Sequence, residues 1–297
     1  MKKSLAMMTA AMMVAGALAG CGSSSSTPVA TTAEATTAAA TEAATTEVAT
    51  TEAGDTAAAA EGTVKTPSGK FTVGFDQEFP PMGFVGDDGQ FTGFDLDLAK
   101  EVASRLGLEF VPQPINWDAK DMELDSGNID CIWNGFTMQG REDAYTWVGP
   151  YMANNQVFVV TADSDIASKA DLAGKAVEVQ KDSSGLAALQ GDAELSASFG
   201  SMTEVADYNT ALMDLESGAC DAVCMDSIVA GYQIKSSGKD MKILDDTLSA
   251  EEYGIGFKKG EDELAKAVYD TLMEMKDDGT VAKISNDWFG SDVFTLK

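Results

Sequence analysis

Beyond residue 66 the chain alternates short apolar runs with longer stretches whose apolar residues recur every three or four positions. Phe71, Val73 and Phe75 keep a two-residue period and stop at Asp76, which predicts a strand. Pro80-Pro81 and Asp87-Asp88-Gly89 then break regular structure. From Asp95 the period lengthens: Leu98, Val102 and Leu106 stand four apart, Ala99 and Ala103 widen the stripe, and Gly107 supplies a C-terminal cap. A strand around Phe110 should close at Pro112 and Pro114, and a helix over Trp117–Asp125 should stop at Ser126-Gly127. Ile129, Cys131, Ile132 and Trp133 read as a buried strand, after which the chain turns polar through Asn134, Gly135 and Thr137 and delivers Arg141. Further strands are predicted over Val157–Val160, Ala176–Val179, Ala222–Met225 and Tyr253–Phe257. Between and after them come a helical turn at Lys169–Leu172, a helix capped by Ser183-Ser184, and helices over Asn209–Glu216, Ile228–Ile234 and Asp262–Lys276. A final helix carries Val281, Ile284, Trp288 and Phe289. Alternating helices and short apolar strands predict α/β layering, whose binding crevices form beyond the carboxyl ends of strands.

The first 65 residues follow neither period. Lys2 and Lys3 precede an apolar run too short to span a bilayer comfortably, which ends in Leu18-Ala19-Gly20-Cys21. This resembles a bacterial lipobox, so residues 1–20 are expected to be an export signal and Cys21 to carry a lipid. Residues 21–65 are almost entirely Ser, Thr, Ala and Glu, with no aromatic residue, and cannot bury enough apolar surface to offset the entropy of ordering. A disordered tether of that length reaches roughly 35–40 Å. The formal net charge of -28 makes nucleic acid a poor partner. Histidine is absent, which removes the commonest metal ligand and general base, and neither a metal nor a cofactor is expected. Cys131, Cys220 and Cys224 read as small core residues, not as a disulfide framework.

Two heptads repeat. Leu124-Asp-Ser-Gly-Asn-Ile-Asp130 and Leu215-Glu-Ser-Gly-Ala-Cys-Asp221 each end a helix with Ser-Gly, pass an Asp and enter a buried strand. Two similar sheets would then aim strand ends at one cleft. Arg141 follows the first strand and Asp226 ends the second, so a cation and an anion on opposite walls would hold a zwitterion. Ser183 and Ser184 add hydroxyls and N–H groups at a helix N-terminus, where anions are favoured, and Phe79 and Trp117 offer apolar walls.

Several runs together resemble the solute-binding proteins of polar amino acid ABC transporters. They include Gly74-Phe-Asp-Gln-Glu-Phe-Pro-Pro81, Gly93-Phe-Asp-Leu-Asp-Leu-Ala99, Ser126-Gly-Asn-Ile-Asp130, Gly135-Phe-Thr137, Arg141 and Gly149-Pro-Tyr151. Gln180-Lys-Asp-Ser-Ser184, Met225-Asp226, Tyr253-Gly-Ile-Gly-Phe257 and Trp288-Phe289-Gly290 continue the match. The resemblance implies a type II periplasmic-binding-protein fold, α/β in class, with lobe one at 66–151 and 253–297 and lobe two at 155–249. Hinges would lie at 151–155 and 249–253. It also implies that Arg141 clamps an α-carboxylate with help from Thr137 and Ser184, while Asp226 and the Gly135 carbonyl hold an α-ammonium. Phe79 and Trp117 would sandwich the side chain, and Asp76, Asn134 and Gln180 would line its far end. Compared with relatives, the Thr137–Arg141 turn is one residue tighter, Gln139 stands where a hydroxyl is expected, and Asp182 replaces a frequent Gly. The implied partners are a polar L-amino acid, glutamine-like or cationic, a membrane permease, and the membrane itself through the lipid; a monomer is expected. A ligand-sensing module for a receptor is the alternative. A dehydratase or lyase on the same scaffold finds little support, since no histidine and no nucleophile–base pairing is in view.

Overall fold

In the computed structural model, which describes residue 66 and residues 68–297, the chain opens with β1 (Lys70–Phe75). A small antiparallel sheet follows, made of β2 (Glu78–Phe79), β3 (Gly83–Val85) and β4 (Phe91–Thr92). Then come α1 (Phe94–Leu106), β5 (Glu109–Pro114), a 3-10 turn at Trp117–Ala119, α2 (Lys120–Asp125) and β6 (Cys131–Thr137). The 17-residue β7 (Tyr145–Thr161) leads to a second 3-10 turn at Lys169–Leu172 and to β8 (Ala176–Gln180). Next are α3 (Ser184–Gly191), α4 (Ala193–Ser198), β9 (Ser201–Val205), α5 (Tyr208–Ser217), β10 (Ala222–Asp226) and α6 (Ser227–Ser237). The 18-residue β11 (Met241–Lys258) returns, and α7 (Asp262–Asp277) and α8 (Thr280–Phe289) finish the chain. The expected export signal, Cys21 and the tether lie outside the described residues.

The main sheet has eight strands in the order β5-β1-β6-β11-β7-β10-β8-β9. β1 is parallel to β5 and β6, and β8 is parallel to β9 and β10. Between these two parallel sets runs an antiparallel ribbon of β7 and β11, in register from Met241↔Thr161 to Lys258↔Tyr145 with bulges on the way. The two expected sheets are therefore joined into one ladder by strands long enough to belong to both sets. Phe71, Val73, Leu98, Val102, Val268 and Leu272 belong to the largest apolar core, and Phe158, Val177 and Leu189 to a smaller one.

The repeated heptads occupy equivalent places. Gly127 and Gly218, at φ 75 and 77, turn the chain out of α2 and α5 toward β6 and β10. Asp130 then accepts the Thr72 N–H of β1 at 2.6 Å, and Asp221 accepts the Ala176 N–H of β8 at 2.8 Å. The carbonyls of Thr72 and Ala176 accept the N–H groups of Asp130 and Asp221 in return.

Four expectations are corrected. β6 begins at Cys131 and runs through Asn134, Gly135 and Thr137, so the polar residues are strand and not turn. β5 keeps both prolines inside it, because it is an edge strand paired only with β1. The apolar runs at 157–160 and 253–257 are parts of β7 and β11, whose polar middles pair with each other. β9 was not foreseen: its residues are mostly exposed and show no alternation of burial. Cys131, Cys220 and Cys224 are free and buried, in line with their reading as core.

Candidate functional site

β1 and β6 run toward the middle of the β7–β11 ribbon from one end and β8 and β10 from the other, so the residues at and just beyond their ends meet. Phe79, Trp117, Gly135, Thr137, Arg141, Gln180, Ser183, Ser184 and Asp226 line one cavity of about 10 Å³, room for about one water. Arg141 and Asp226 thus share a cavity, though they come from opposite strand sets. Ser183 caps α3, its Oγ accepting the Leu186 N–H at 3.1 Å, and this leaves the first turn of the helix facing the cavity.

Asp76 and Asn134 stand behind that lining. Asn134 is 1% exposed, and its Oδ1 accepts the Asp76 N–H at 3.0 Å. Asp76 accepts from Gln180 Nε2 at 2.7 Å and from the Glu78 N–H at 2.9 Å. Burial pushes its carboxyl up to about 6. Asn134 therefore positions Asp76, which in turn orients Gln180. Asp76 also borders a wider cavity of about 850 Å³, lined by Trp117, Lys181 and the acidic Glu78, Asp118, Glu123, Glu204 and Asp207.

The anionic end is fully enclosed. Asp226 sits at the N-cap of α6 but gives its carboxylate no helix N–H. Its Oδ1 accepts from Tyr253 OH and Asn154 Nδ2, each at 2.7 Å, and its Oδ2 from Tyr208 OH at 2.8 Å. Asn154 Oδ1 instead accepts the Ile228 N–H at 3.3 Å. Glu251, 5% exposed, shares Asn154 Nδ2 at 2.7 Å and accepts from Gln156 Nε2 at 3.0 Å. Burial, and then the charge of Glu251, push the Asp226 carboxyl up to about 8. Neither carboxylate forms an ion pair with a Lys or Arg among the described residues. An arriving cation would favour the ionised form of Asp226 that burial and Glu251 oppose.

The cationic end is more open. Arg141 is half-buried, with Nη1 donating to the Thr137 carbonyl at 3.2 Å and Nη2 to the Asp182 carbonyl at 3.3 Å. Its guanidinium carbon lies 5.1 Å from the Phe136 ring centroid. The Met138 carbonyl accepts the Arg141 N–H at 3.0 Å, which closes the tight turn after β6. Thr137 Oγ1 donates to Ser184 Oγ at 3.2 Å and so links the two strand sets. Gln139 points away, its Oε1 accepting the Glu252 N–H of β11 at 2.8 Å. Gly135 has φ 55, and a Cβ there would lie 2.9 Å from Phe79 and 3.1 Å from Tyr253, so only glycine suits the place. The twist turns its N–H toward the buried Asp95, whose Oδ2 accepts it at 2.7 Å together with Tyr151 OH at 2.8 Å. Burial pushes Asp95 up to about 7.

The family profile of the bacterial extracellular solute-binding proteins, family 3, matches residues 71–291. The chain belongs to this family. Its members are extracytoplasmic solute-binding proteins and not enzymes, and the mixed α/β architecture is that of periplasmic-binding-protein structures. L-cystine-binding protein TcyJ of Escherichia coli (strain K12) is 32% identical over 231 residues, 76% of this chain and 84% of that protein. A substrate-binding protein of an ABC uptake transporter from Streptococcus pneumoniae, with bound histidine, superposes with a TM-score of 0.74 at 34% identity, covering 77% of this chain and 96% of that one. The arginine-, lysine-, histidine-binding protein ArtJ from Geobacillus stearothermophilus superposes with a TM-score of 0.68 at 29% identity, covering 75% and 96%.

Within this solute-binding protein, sequence reasoning missed the partners of Asp226. Tyr253 belongs to a run that carried the family resemblance, and Asn154 to the Asn154-Asn155 pair, but nothing marked either as a neighbour of Asp226. Glu251 had no signal at all, since the Glu pair in the polar run Ser249-Ala-Glu-Glu252 reads as solvated.

Proposed function

We propose that the chain is the binding component of an amino acid ABC importer, capturing a polar L-amino acid, cationic or glutamine-like, and handing it to a membrane permease. The observation that carries this reading is the cavity lined by both Arg141 and Asp226. Arg141, Thr137 and the Ser184 N–H take the α-carboxylate. Asp226 and the Gly135 carbonyl take the α-ammonium, with Glu251 adding negative charge behind them. Phe79 and Trp117 bracket the side chain, whose far end heads for Gln180, Asp76 and the acid-lined cavity beyond, where a cation or amide is favoured over a carboxylate. The relatives support the ligand class, being named for cystine or for arginine, lysine and histidine, or solved with histidine.

A cavity of about 10 Å³ is far smaller than an amino acid, so entry requires the strand sets to part. Residues 66–151 and 253–297 form one lobe and 155–249 the other, with hinges at 151–155 and 249–253. Only the closed arrangement uses both charged walls, so a zwitterion biases the hinge toward closure. Hydrogen bonds to charged groups contribute about 1.5–3 kcal/mol each. After the cost of closure this supports a micromolar affinity, near -8 kcal/mol. At the N-terminus, residues 1–20 direct export, Cys21 carries the lipid, and residues up to 65 hold the folded part off the outer face of the membrane. Among the described residues no helix is long and apolar enough to cross a membrane.

A thermal-shift screen of the chain lacking its export signal tests this reading, with the common L-amino acids and cystine as probes. Stabilisation by L-arginine, L-lysine, L-histidine or L-glutamine, with one-to-one binding by calorimetry, is expected. No stabilisation by any of them overturns it.

A further inference from the structure

We propose that Asp182 and Lys120 form a latch that holds the closed site together and sets how long the ligand stays; the inference rests on the function proposed above. Lys120 opens α2, and its side chain is only 2% exposed although it ends in an ammonium. That ammonium pairs with the Asp182 carboxylate and lies 5.3 Å from the centroid of the Trp117 ring, which walls the cavity. Asp182 lies in the loop between β8 and α3 at φ 56, the one non-glycine residue with positive φ among the described residues. Glycine would adopt this conformation without strain, and Asp is one of the few other residues that tolerates it.

The left-handed turn aims two groups of one residue at the other strand set, beside the cavity. The carboxylate meets Lys120, and the carbonyl meets Arg141 Nη2 at 3.3 Å and Lys120 Nζ at 3.4 Å. Asp182 thus fastens both the stretch that supplies the aromatic wall and the guanidinium at the cationic end. The neighbouring Lys181–Asp118 pair, at 2.7 Å, also crosses between the sets, but its side chains are 56% and 41% exposed and it should matter little. Lys120 is different. When the strand sets part, its ammonium returns to water, whereas the Asp182 side chain, 51% exposed, already meets water in the closed arrangement. When they meet, the ammonium is shielded and Asp182 is its carboxylate partner, so removing that partner penalises only the closed arrangement. The consequence is kinetic: opening slows, while capture is untouched.

Asp182→Asn keeps the size and the tolerated φ but removes the charge, Asp182→Gly also relieves the turn, and Lys120→Met keeps the apolar stem over Trp117. Stopped-flow dissociation of L-arginine, L-histidine and L-glutamine should be roughly 5–30-fold faster in each variant, between the ranges for exposed and buried pairs. Association should change less than about twofold, and the melting temperature of the unliganded protein should not fall, as it would for a residue that merely supports the fold. Adding Asp182→Asn to Lys120→Met should bring no further acceleration. Unchanged dissociation in Asp182→Asn, or effects that simply add in the double variant, overturns the latch. If the parent protein binds none of the three amino acids, the proposed function fails and small-angle scattering alone decides the latch. A larger radius of gyration in Asp182→Asn than in the parent supports it, and equal radii overturn it.

Discussion

β6 and β10 are reached by the same route. In each, a helix ends at a left-handed Gly, an Asp bonds the N–H of the neighbouring parallel strand at 2.6 or 2.8 Å, and a buried strand follows. Past that shared frame they diverge. β6 runs on through Gly135 and Thr137 and needs a turn to bring in Arg141, which stays half-buried and rests on two carbonyls. β10 stops at Asp226, 3% exposed and held by Tyr208, Tyr253 and Asn154. The frame recurs because it solves a folding problem, whereas the chemistry sits in the few residues after it. One pole is thereby built into the sheet, and the other is hung from a loop.

That contrast is open to test. Asp226→Asn keeps the shape and removes the charge from the enclosed pole, so it should cost about 3–5 kcal/mol of ligand affinity by calorimetry. The unliganded fold should survive it. Arg141→Ala, at the more open pole, should cost about 1.5–3 kcal/mol, the range for hydrogen bonds to a charged group. A larger loss for Arg141→Ala than for Asp226→Asn would reverse the assignment of the two poles.

A pH titration sharpens the same contrast. Unfolded carboxyls ionise near about pH 4, whereas burial raises Asp76 to about 6, Asp95 to about 7 and Asp226, with Glu251 beside it, to about 8. Over that interval the folded chain holds protons that the unfolded chain has released. The stability these groups contribute is therefore full only below about pH 4 and is lost progressively as pH rises from there through the folded values of about 6 to 8. The melting temperature of the unliganded protein should fall across this window, and Asp226→Asn should flatten its upper part. The smallest effect belongs to the frame. Asp130→Ala and Asp221→Ala should each cost about 1 kcal/mol in urea unfolding, one strand-joining hydrogen bond apiece. A severalfold difference between them would deny their equivalence.

Where apolar spacing carried information, the fold was legible. The stripe of α1, the one in α7 and the Ser183 cap lie where the sequence reading put them, because each is a local matter of period and cap. β7 and β11 were truncated in that reading because Asn154-Asn155 and Asp245–Glu252 carry no apolar alternation. Their backbones are satisfied by each other, a partnership far apart in sequence. The cavity lining followed the strand-end rule, while Asn134 and Asp76 fell one layer behind it. Glu251 escaped notice since its meaning comes only from Asp226, twenty-five positions earlier.

The ribbon of β7 and β11 has one more consequence. Asn155 faces Ala250 and Gln156 faces Ser249, so the chain departs and comes back on adjacent rungs. Everything between is an insertion whose two stumps stand about 5 Å apart, one ladder spacing. Exchanging that insertion for its counterpart from another member of the family would leave the span to be bridged unchanged. The resulting chimaera would keep its host's guanidinium and take the donor's carboxylate, letting the two charges be inherited separately.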